Sequence, residues 1–236
     1  MRSSSSIAQL HDSNRILVIM AKAPRAGAVK TRLGQNLPPS AVVDLYRCLL
    51  GDTMALAKSL DGVELAIMCP VPDVDDLALI APETVRVVAQ TGKGLAAGLT
   101  SVFAQFATAG GRRVIAFNSD SPHLPRTVLE SAFDALASCD LIVGPTYDGG
   151  YYLVGATASY PELFVSSGMG TTSALEELLS RARALRLSVG FADTFYDIDV
   201  MADLSRLASE LEMAADRAPR TAAWLKRCSL VSGAAV

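Results

Sequence analysis

The sequence predicts an α/β fold: a three-layer sandwich whose mostly parallel mixed sheet contains one antiparallel strand. Short apolar runs, such as residues 114–117, alternate with longer segments in which apolar residues recur at helical spacing. This alternation is typical of a parallel sheet that is covered by helices on both faces. A tight-turn signal at Asp148-Gly149 joins two further apolar runs directly. It predicts a hairpin, and therefore one antiparallel strand.

The composition favours a single domain and excludes several classes of partner. With 236 residues, 50% of them hydrophobic, the chain can bury one good core. We expect a disordered leader over residues 1–14, followed by one domain over residues 15–236. The formal net charge of -3 argues against nucleic acid or an anionic membrane surface as a partner.

Cysteine spacing and hydropathy indicate the compartment. The four cysteines are far apart and form no CxxC pair, as expected for thiols in a reducing compartment. The N-terminus has no apolar core typical of a signal peptide, and the apolar runs are too short to span a membrane. We therefore expect a soluble, cytoplasmic protein.

The first predicted strand, residues 15–21, is followed by the basic segment KAPRAGAVKTRL, residues 22–33. Its four cations are Lys22, Arg25, Lys30 and Arg32. Because the segment follows a buried strand, we place it at the carboxyl edge of the sheet, where open α/β sheets bind ligands. The charges could serve solubility alone. Four cations in so short a loop, with Gly27 permitting an unusual backbone, favour an anion-binding role.

A long helix beginning at residues 38–40 and strands at 63–68 and 84–89 come next. Between those strands, Asp73, Asp75 and Asp76 are expected to complement the dipole of a short helix. The third strand leads through Gln90 and Gly92 into a helix that ends near residue 107. A strand, a glycine pair and a helix N-terminus in this order suggest contact with a nucleotide.

The fourth strand, residues 114–117, is central to the functional interpretation because it ends at Asn118-Ser119-Asp120. Asp120 lies just past the carboxyl end of that strand. It either caps the helix that begins near residue 125 or holds a divalent cation, which can in turn hold a phosphate. His123 is a candidate general base by position alone, or otherwise a surface residue at the start of that helix.

The strands at 140–145 and 151–154 flank the turn YDGG, residues 147–150. This segment is either a turn only, or a place where Gly149 and Gly150 let a substrate approach the backbone beside Asp148 and Tyr151. A helix beginning near residue 173, a last strand at 188–192 and helices around residues 203 and 224 complete the fold.

Two aspartates follow the last strand in the segment YDID. In an extended segment alternate side chains point the same way, so Asp197 and Asp199 lie on one side of the chain. They either cap the next helix, or one of them meets Asp120 across a metal ion.

Five motifs occur in a family-specific order: KAPRAGAVKTRL, QTGKGL, NSDSP, GPTYDGGYYLVG and YDIDVMADL. The chain resembles a family of uncharacterised bacterial transferases described as glycosyltransferase-A-like, with the nucleotide-diphospho-sugar transferase fold. It is more distantly similar to phospholactate guanylyltransferases, which carry a similar KxRL loop. The resemblance spans roughly residues 16–211. Residues 169–171 replace a family segment near the acceptor side.

The resemblance implies a role for each matching residue. Lys22, Arg25, Lys30 and Arg32 match the phosphate-binding loop, while Gln90 and Gly92 match the nucleotide-contacting segment. Asp120 and Asp199 match the first and second metal aspartates, which implies Mg²⁺ or Mn²⁺ as the cofactor.

These parts suit transfer of a nucleotidyl group from a nucleoside triphosphate to a small phosphorylated or carboxylate acceptor, with release of pyrophosphate. Lys30, Arg32 and Asp120 would then carry the chemistry. Two alternatives stay open. One is a glycosyltransferase with a nucleotide-sugar donor, in which Asp148 would be a candidate base. The other is a nucleotide-binding module without catalysis.

Overall fold

The predicted strands are all present in the computed structural model, which describes residues 14–107, 112–165 and 172–232. The strands are β1 (Arg15–Met20), β2 (Val63–Cys69), β3 (Arg86–Ala89), β4 (Arg113–Asn118), β5 (Leu141–Pro145), β6 (Tyr151–Ala156) and β7 (Val189–Phe191). They form one sheet in the order β3-β2-β1-β4-β6-β5-β7. Strand β6 runs antiparallel to both of its neighbours, β4 and β5. The other pairs are parallel, which confirms the predicted mixed sheet.

Helices cover both faces of the sheet. They are α1 (Pro39–Lys58), α2 (Val74–Ile80), α3 (Gly94–Phe106), α4 (Arg126–Ala135), α5 (Ala174–Ala184), α6 (Met201–Met213) and α7 (Pro219–Ser232). Within the described ranges, no helix has the length and apolar character needed to cross a membrane.

The core divides at the sheet because side chains of a strand alternate between faces. From β1, Leu17 and Ile19 pack with residues of α1, α2 and α4. Ile16 and Val18 point the other way and pack with α3 and α5. The result is the predicted three-layer sandwich.

Helices α6 and α7 pack on the outer side of α1, away from the sheet. Leu45 and Leu49 of α1 pack with Leu207 and Trp224 there. The carboxylate of the buried Asp52 accepts N–H bonds from Arg220 at 3.2 Å and Thr221 at 2.8 Å. A side chain of α1 therefore satisfies the first backbone donors of α7, which the helix itself leaves unpaired.

Candidate functional site

The carboxyl ends of β1 and β4 meet at the sheet edge where the sequence places the candidate ligands. These strands pair in parallel, with Met20 opposite Asn118, so the basic loop and the Ser119-Asp120 turn leave the sheet side by side. A cavity of about 520 Å³ opens at this edge. Its polar lining residues are Lys22, Lys30, Tyr46, Gln90, Ser119, Asp120 and Asp199. Apolar walls come from Met20, Val29, Met68, Pro70 and Leu95.

Three carboxylates gather beside this cavity, and two of them, Asp120 and Asp199, line it. Oxygens of Asp120, Asp197 and Asp199 lie within 4.8 Å of one another. The Asp203 carboxylate fixes the segment that carries Asp199, because it accepts the N–H of Asp199 at 3.0 Å and of Val200 at 2.8 Å. Burial, and next the charge of Asp120, raise the pKa of the Asp197 carboxyl above its ordinary value. The three acids thus form a concentrated, partly buried acidic centre.

Lys30 enters this acidic centre from the basic loop. Its ammonium donates to Asp120 and, at 3.0 Å, to Asp199, and only 4% of its side chain is exposed. Burial alone would lower the pKa of Lys30, but the charges of Asp120 and Asp199 outweigh it and the pKa is raised. Lys30 therefore stays charged across the ordinary pH range.

The other cations of the loop are placed differently. Lys22 is exposed and lines the cavity, and the exposed Arg32 lies 3.6 Å from Asp199. Gly27 adopts a positive φ of 74° in open space, so the loop does use the unusual backbone that glycine permits.

Arg25 points toward α2 and binds the acids that precede and begin it. It pairs with Asp73 and, at 2.6 Å, with Asp76. Asp73 is buried and also accepts the N–H of Ala23 at 3.0 Å. The sequence interpretation of Asp73 as a dipole-complementing acid is therefore incomplete, because its carboxylate anchors the basic loop. For Arg25, the structure places the guanidinium on these acids rather than in the cavity lining.

Gln90 shapes the glycine-rich segment that leads into α3. Its amide nitrogen donates to the carbonyl oxygens of Gly92 and Gly94, each at 3.1 Å. Both glycines have a φ of +84°. Gln90 and Gly94 line the cavity, so this segment forms the wall that faces the basic loop.

Tyr46 of α1 connects the basic loop with the Asp120 turn. Its hydroxyl accepts the N–H of Lys22 at 3.2 Å and lies 3.0 Å from the hydroxyl of Ser119. The Ser119 carbonyl in turn accepts a bond from Thr53 at 3.2 Å. One helix thus positions both halves of the site.

His123 is buried, with 1% exposure, so its interpretation as a surface residue is wrong. Its ring lies 4.4 Å from that of Tyr196 and 5.2 Å from that of Phe195, between centroids. Neither ring nitrogen has a hydrogen-bond partner among the described residues. Burial lowers the pKa of His123 to about 4. The imidazole packs beneath the segment that carries Asp197.

The YDGG turn lies at the same sheet edge, but the hydrogen bonds of Asp148 go to residues next to it in the turn. Asp148 accepts bonds from the Thr146 hydroxyl at 2.5 Å and from the N–H of Gly150 at 3.2 Å. A side chain at Gly149 would meet the backbone of Thr172. None of residues 148–151 is among the described residues that line the cavity; their contact with a substrate stays a prediction. Residues 169–171 lie outside the described ranges.

The acidic centre has the donor set that suits a divalent cation. Three carboxylates offer hard oxygen ligands of the type that Mg²⁺ and Mn²⁺ prefer. The Oδ1 atom of Asp120 is buried, and the described part of the chain gives it no hydrogen-bond partner. Such an oxygen is costly to bury unless it binds a donor or a cation. Asp120, Asp197 and Asp199 therefore fit a metal ion.

Sequence reasoning undervalued three residues of this site. Asp197 stood only as one of two options, although its place two residues before Asp199 was the available signal. Tyr46 and Ser119 were not singled out, because a tyrosine in an amphipathic helix and a serine in a turn are ordinary. Their roles depend on the packing of α1 against the sheet.

Comparisons with known proteins agree with this architecture. The model of a family described as "Uncharacterized protein conserved in bacteria (DUF2064)" matches residues 53–171. No curated protein matches the chain.

Solved structures share the fold. A protein of Desulfovibrio desulfuricans G20, provisionally described as a nucleotide-diphospho-sugar transferase, has a TM-score of 0.83 and 27% identity, covering 92% of this chain and 96% of its own. The inositol-1-phosphate CTP transferase of T. maritima has a TM-score of 0.59 and 16% identity, covering 84% and 95%. For the 4-diphosphocytidyl-2C-methyl-D-erythritol synthase of Anaerococcus prevotii DSM 20548 the values are 0.53 and 12%, covering 84% and 97%. The fold is that of the nucleotide-diphospho-sugar transferases.

Proposed function

This chain belongs to the bacterial DUF2064 family. We propose that it is a metal-dependent nucleotidyltransferase. It would transfer a nucleoside monophosphate from a nucleoside triphosphate to a small phosphorylated or carboxylate acceptor and release pyrophosphate. The acceptor and the base belong to the proposal only as classes.

One observation carries the proposal: the basic loop and the acidic centre meet at a single side chain. Lys30 of the basic loop reaches Asp120 and Asp199 at the end of a cavity large enough for a nucleotide. Phosphoryl and nucleotidyl transfer need positive charge from both a metal and the protein around a polyphosphate. In this site a basic side chain lies in contact with carboxylates that fit a metal ion.

The relatives support the same class of reaction. The T. maritima and A. prevotii proteins share the fold alone at their low identities, and their descriptions name CTP transfer and a diphosphocytidyl product. Open α/β sheets bind nucleotides at the carboxyl edge of their strands, which is where this chain has its cavity.

Each residue has a distinct part in the proposed reaction. Asp120, Asp197 and Asp199 would hold the divalent cation, which supplies positive charge to phosphate oxygens when bound. Lys30 and Arg32 bind the β and γ phosphates and stabilise the departing pyrophosphate. Lys22 adds positive charge at the mouth of the cavity. Gln90 holds the glycine segment against which the nucleotide lies.

The bond changes balance without a protein base. An ionised oxygen of the acceptor attacks the α-phosphorus, and a new oxygen–phosphorus bond forms. The bond from the α-phosphorus to the bridging oxygen breaks, and its electron pair leaves with pyrophosphate. A phosphate or carboxylate acceptor is already ionised at neutral pH. His123, buried under Tyr196, is then not needed as a base.

A second candidate is glycosyl transfer from a nucleotide sugar. The observation that favours it is the relative of D. desulfuricans, which is 27% identical over 92% of this chain and carries that provisional description. In this case the same cations would stabilise a nucleoside diphosphate, and the hydroxyl of an acceptor would need a base.

The two candidates differ in their products. We would incubate the protein with Mg²⁺ or Mn²⁺, a panel of nucleoside triphosphates or nucleotide sugars, and small phosphorylated or carboxylate acceptors. Acceptor-dependent release of pyrophosphate from a triphosphate supports nucleotidyl transfer. Release of a nucleoside diphosphate from a nucleotide sugar supports the second candidate. Metal-dependent binding without turnover would instead indicate a binding module.

The basic loop provides the variant test. Lys30→Ala and Arg32→Ala should lower turnover by roughly 10²–10³-fold, the usual cost of removing a group that stabilises transition-state charge. Arg47→Ala is the matched control, because Arg47 is an exposed cation that pairs with Asp44 on α1. Full activity in both loop variants would remove the loop from the mechanism.

A further inference from the structure

Lys30 occupies a position that is unusual for a phosphate-binding lysine. Its ammonium contacts carboxylate oxygens of Asp120 and Asp199. With 4% of the side chain exposed, it is nearly closed off from solvent. The residue also adopts a φ of +46°, a left-handed backbone conformation that is uncommon for a residue with a side chain. The loop is therefore bent so that the ammonium reaches the acids.

The contacts place this ammonium on two of the carboxylates that fit a metal ion. Asp120 and Asp199 are two of the three carboxylates whose oxygens lie within 4.8 Å of one another. A divalent cation would draw its ligands from these same carboxylates, and two cations a few ångströms apart repel each other strongly in a partly buried site. Lys30 and a divalent cation would thus compete for Asp120 and Asp199.

The displaced ammonium would need a new partner. A buried cation without a counter-charge is costly, and the Lys30 side chain lines the cavity in which the proposed triphosphate lies. A polyphosphate supplies both halves of an exchange, because it carries the divalent cation to the acids and offers its own oxygens to Lys30.

We propose that Lys30 is the resident counter-cation of the three acids, and that a divalent cation displaces it tightly only together with a polyphosphate that receives the Lys30 ammonium, and only weakly when free. The substrate of the site is then the metal–triphosphate complex rather than the free metal followed by the nucleotide. This inference rests on the proposed function for the identity of the polyphosphate, but the exchange itself is a binding property. Because Lys30 competes with the metal unless a polyphosphate receives its ammonium, free metal should bind weakly and the complex tightly.

The first test measures binding of Mn²⁺ alone by calorimetry. Lys30→Met should bind Mn²⁺ roughly tenfold more tightly than the wild type, or better, because a competing charge has been removed. Arg32→Met is the matched control. It removes the same charge from beside Asp199, but from a side chain that is 62% exposed and 3.6 Å away, so its effect should be several-fold smaller. Equal Mn²⁺ affinity in the wild type and Lys30→Met would overturn the proposal.

The second test uses the preformed complex of Mn²⁺ with inorganic tripolyphosphate. The wild type should bind this complex at least roughly tenfold more tightly than free Mn²⁺, and Lys30→Met should lose most of that preference. A wild-type protein that binds both forms equally would contradict the coupling. Tripolyphosphate has no base, sugar or reactive acceptor, so these outcomes do not depend on whether nucleotidyl transfer is found.

The third test needs no variant and guards against misfolding of Lys30→Met. Acetylation of wild-type lysines, read by mass spectrometry, should leave Lys30 protected, and saturating Mn²⁺ should make it reactive. Lys22 is the internal reference, because it is exposed in the same loop and should react equally in both conditions. Unchanged protection of Lys30 under saturating Mn²⁺ would show that the ammonium does not leave the acids, and would overturn the exchange.

Discussion

The hydroxyl of Tyr46 lies 3.0 Å from the hydroxyl of Ser119 and also accepts the backbone N–H of Lys22. One phenol therefore joins the first residue of the basic loop with the residue that precedes Asp120. The tyrosine is buried, so neither hydrogen bond is readily replaced by water. This arrangement ties the spacing between the basic loop and the acidic centre to a single side chain.

Tyr46→Phe should separate positioning from packing. The ring stays in place, but the Lys22 N–H loses its acceptor, so the free energy of unfolding should fall by about 1–2 kcal/mol. Turnover should fall more than the Michaelis constant changes, because binding groups remain while their relative placement loosens. Urea unfolding and steady-state kinetics measure the two effects. An unchanged turnover number would show that the hydroxyl does not position the site.

The anchor of the basic loop can be tested at Asp73. Asp73→Asn removes the charge that binds Arg25 and weakens the acceptor for the N–H of Ala23. The free energy of unfolding should fall by roughly 1–3 kcal/mol, and backbone amides of residues 23–30 should exchange hydrogen faster. Asp75→Asn is the control, since Asp75 is exposed two residues away. Equal exchange in both variants would argue that the anchor does not order the loop.

Two glycines with positive φ make a matched pair. Gly27 has a φ of +74° in open space, whereas Gly149 has a φ of +88° and faces the Thr172 backbone. Gly27→Ala should cost about 1 kcal/mol from backbone strain alone. Gly149→Ala adds a backbone clash and should cost roughly 3 kcal/mol or more. Thermal unfolding compares them. Similar melting temperatures would mean that the YDGG turn is not constrained by Thr172.

Part of the loss of folding stability at acidic pH should come from His123. The folded chain holds its pKa at about 4, below the ordinary value of 6.5, with burial as the main cause, Arg206 and Arg217 adding to it and Glu210 opposing. Between these pH values only the unfolded chain binds the proton, so stability falls as the pH falls, by at most about 1.4 kcal/mol per pH unit. His123→Phe should lose less stability than the wild type from pH 7 to 4.5 in urea titrations. Parallel curves would exclude His123 as a source.

The sheet could be predicted because its strands are runs of apolar residues and its hairpin contains a characteristic turn sequence. Burial on both faces gives Val18 and Phe117 apolar neighbours whatever the strand order, so the pattern survives without knowledge of the topology. The antiparallel strand β6 followed from Asp148-Gly149. The packing of α6 and α7 onto α1 was not predicted, because an amphipathic helix does not specify which surface it covers.

The site was predictable as a set of residues at one edge, but not as a set of contacts. Lys30 contacts acids that are 90 and 169 positions away along the chain. The loop reaches them through a left-handed backbone at Lys30, and a lysine in the sequence does not predict that conformation. His123 was misjudged because its burial is caused by Phe195 and Tyr196, which arrive from a distant segment. Contacts of this kind are decided by tertiary packing.

The dependence of α7 on Asp52 has a consequence for the order in which the parts of the candidate site come together during synthesis. Helix α1, which carries Tyr46, is made well before Thr221 and Trp224, which satisfy Asp52 and cover Leu45. Such distant contacts close slowly, because a long loop must be ordered first. A nascent chain would therefore carry all the acids and cations before the helix that aligns them is held in place, and the candidate site should assemble only after α7 has packed against α1.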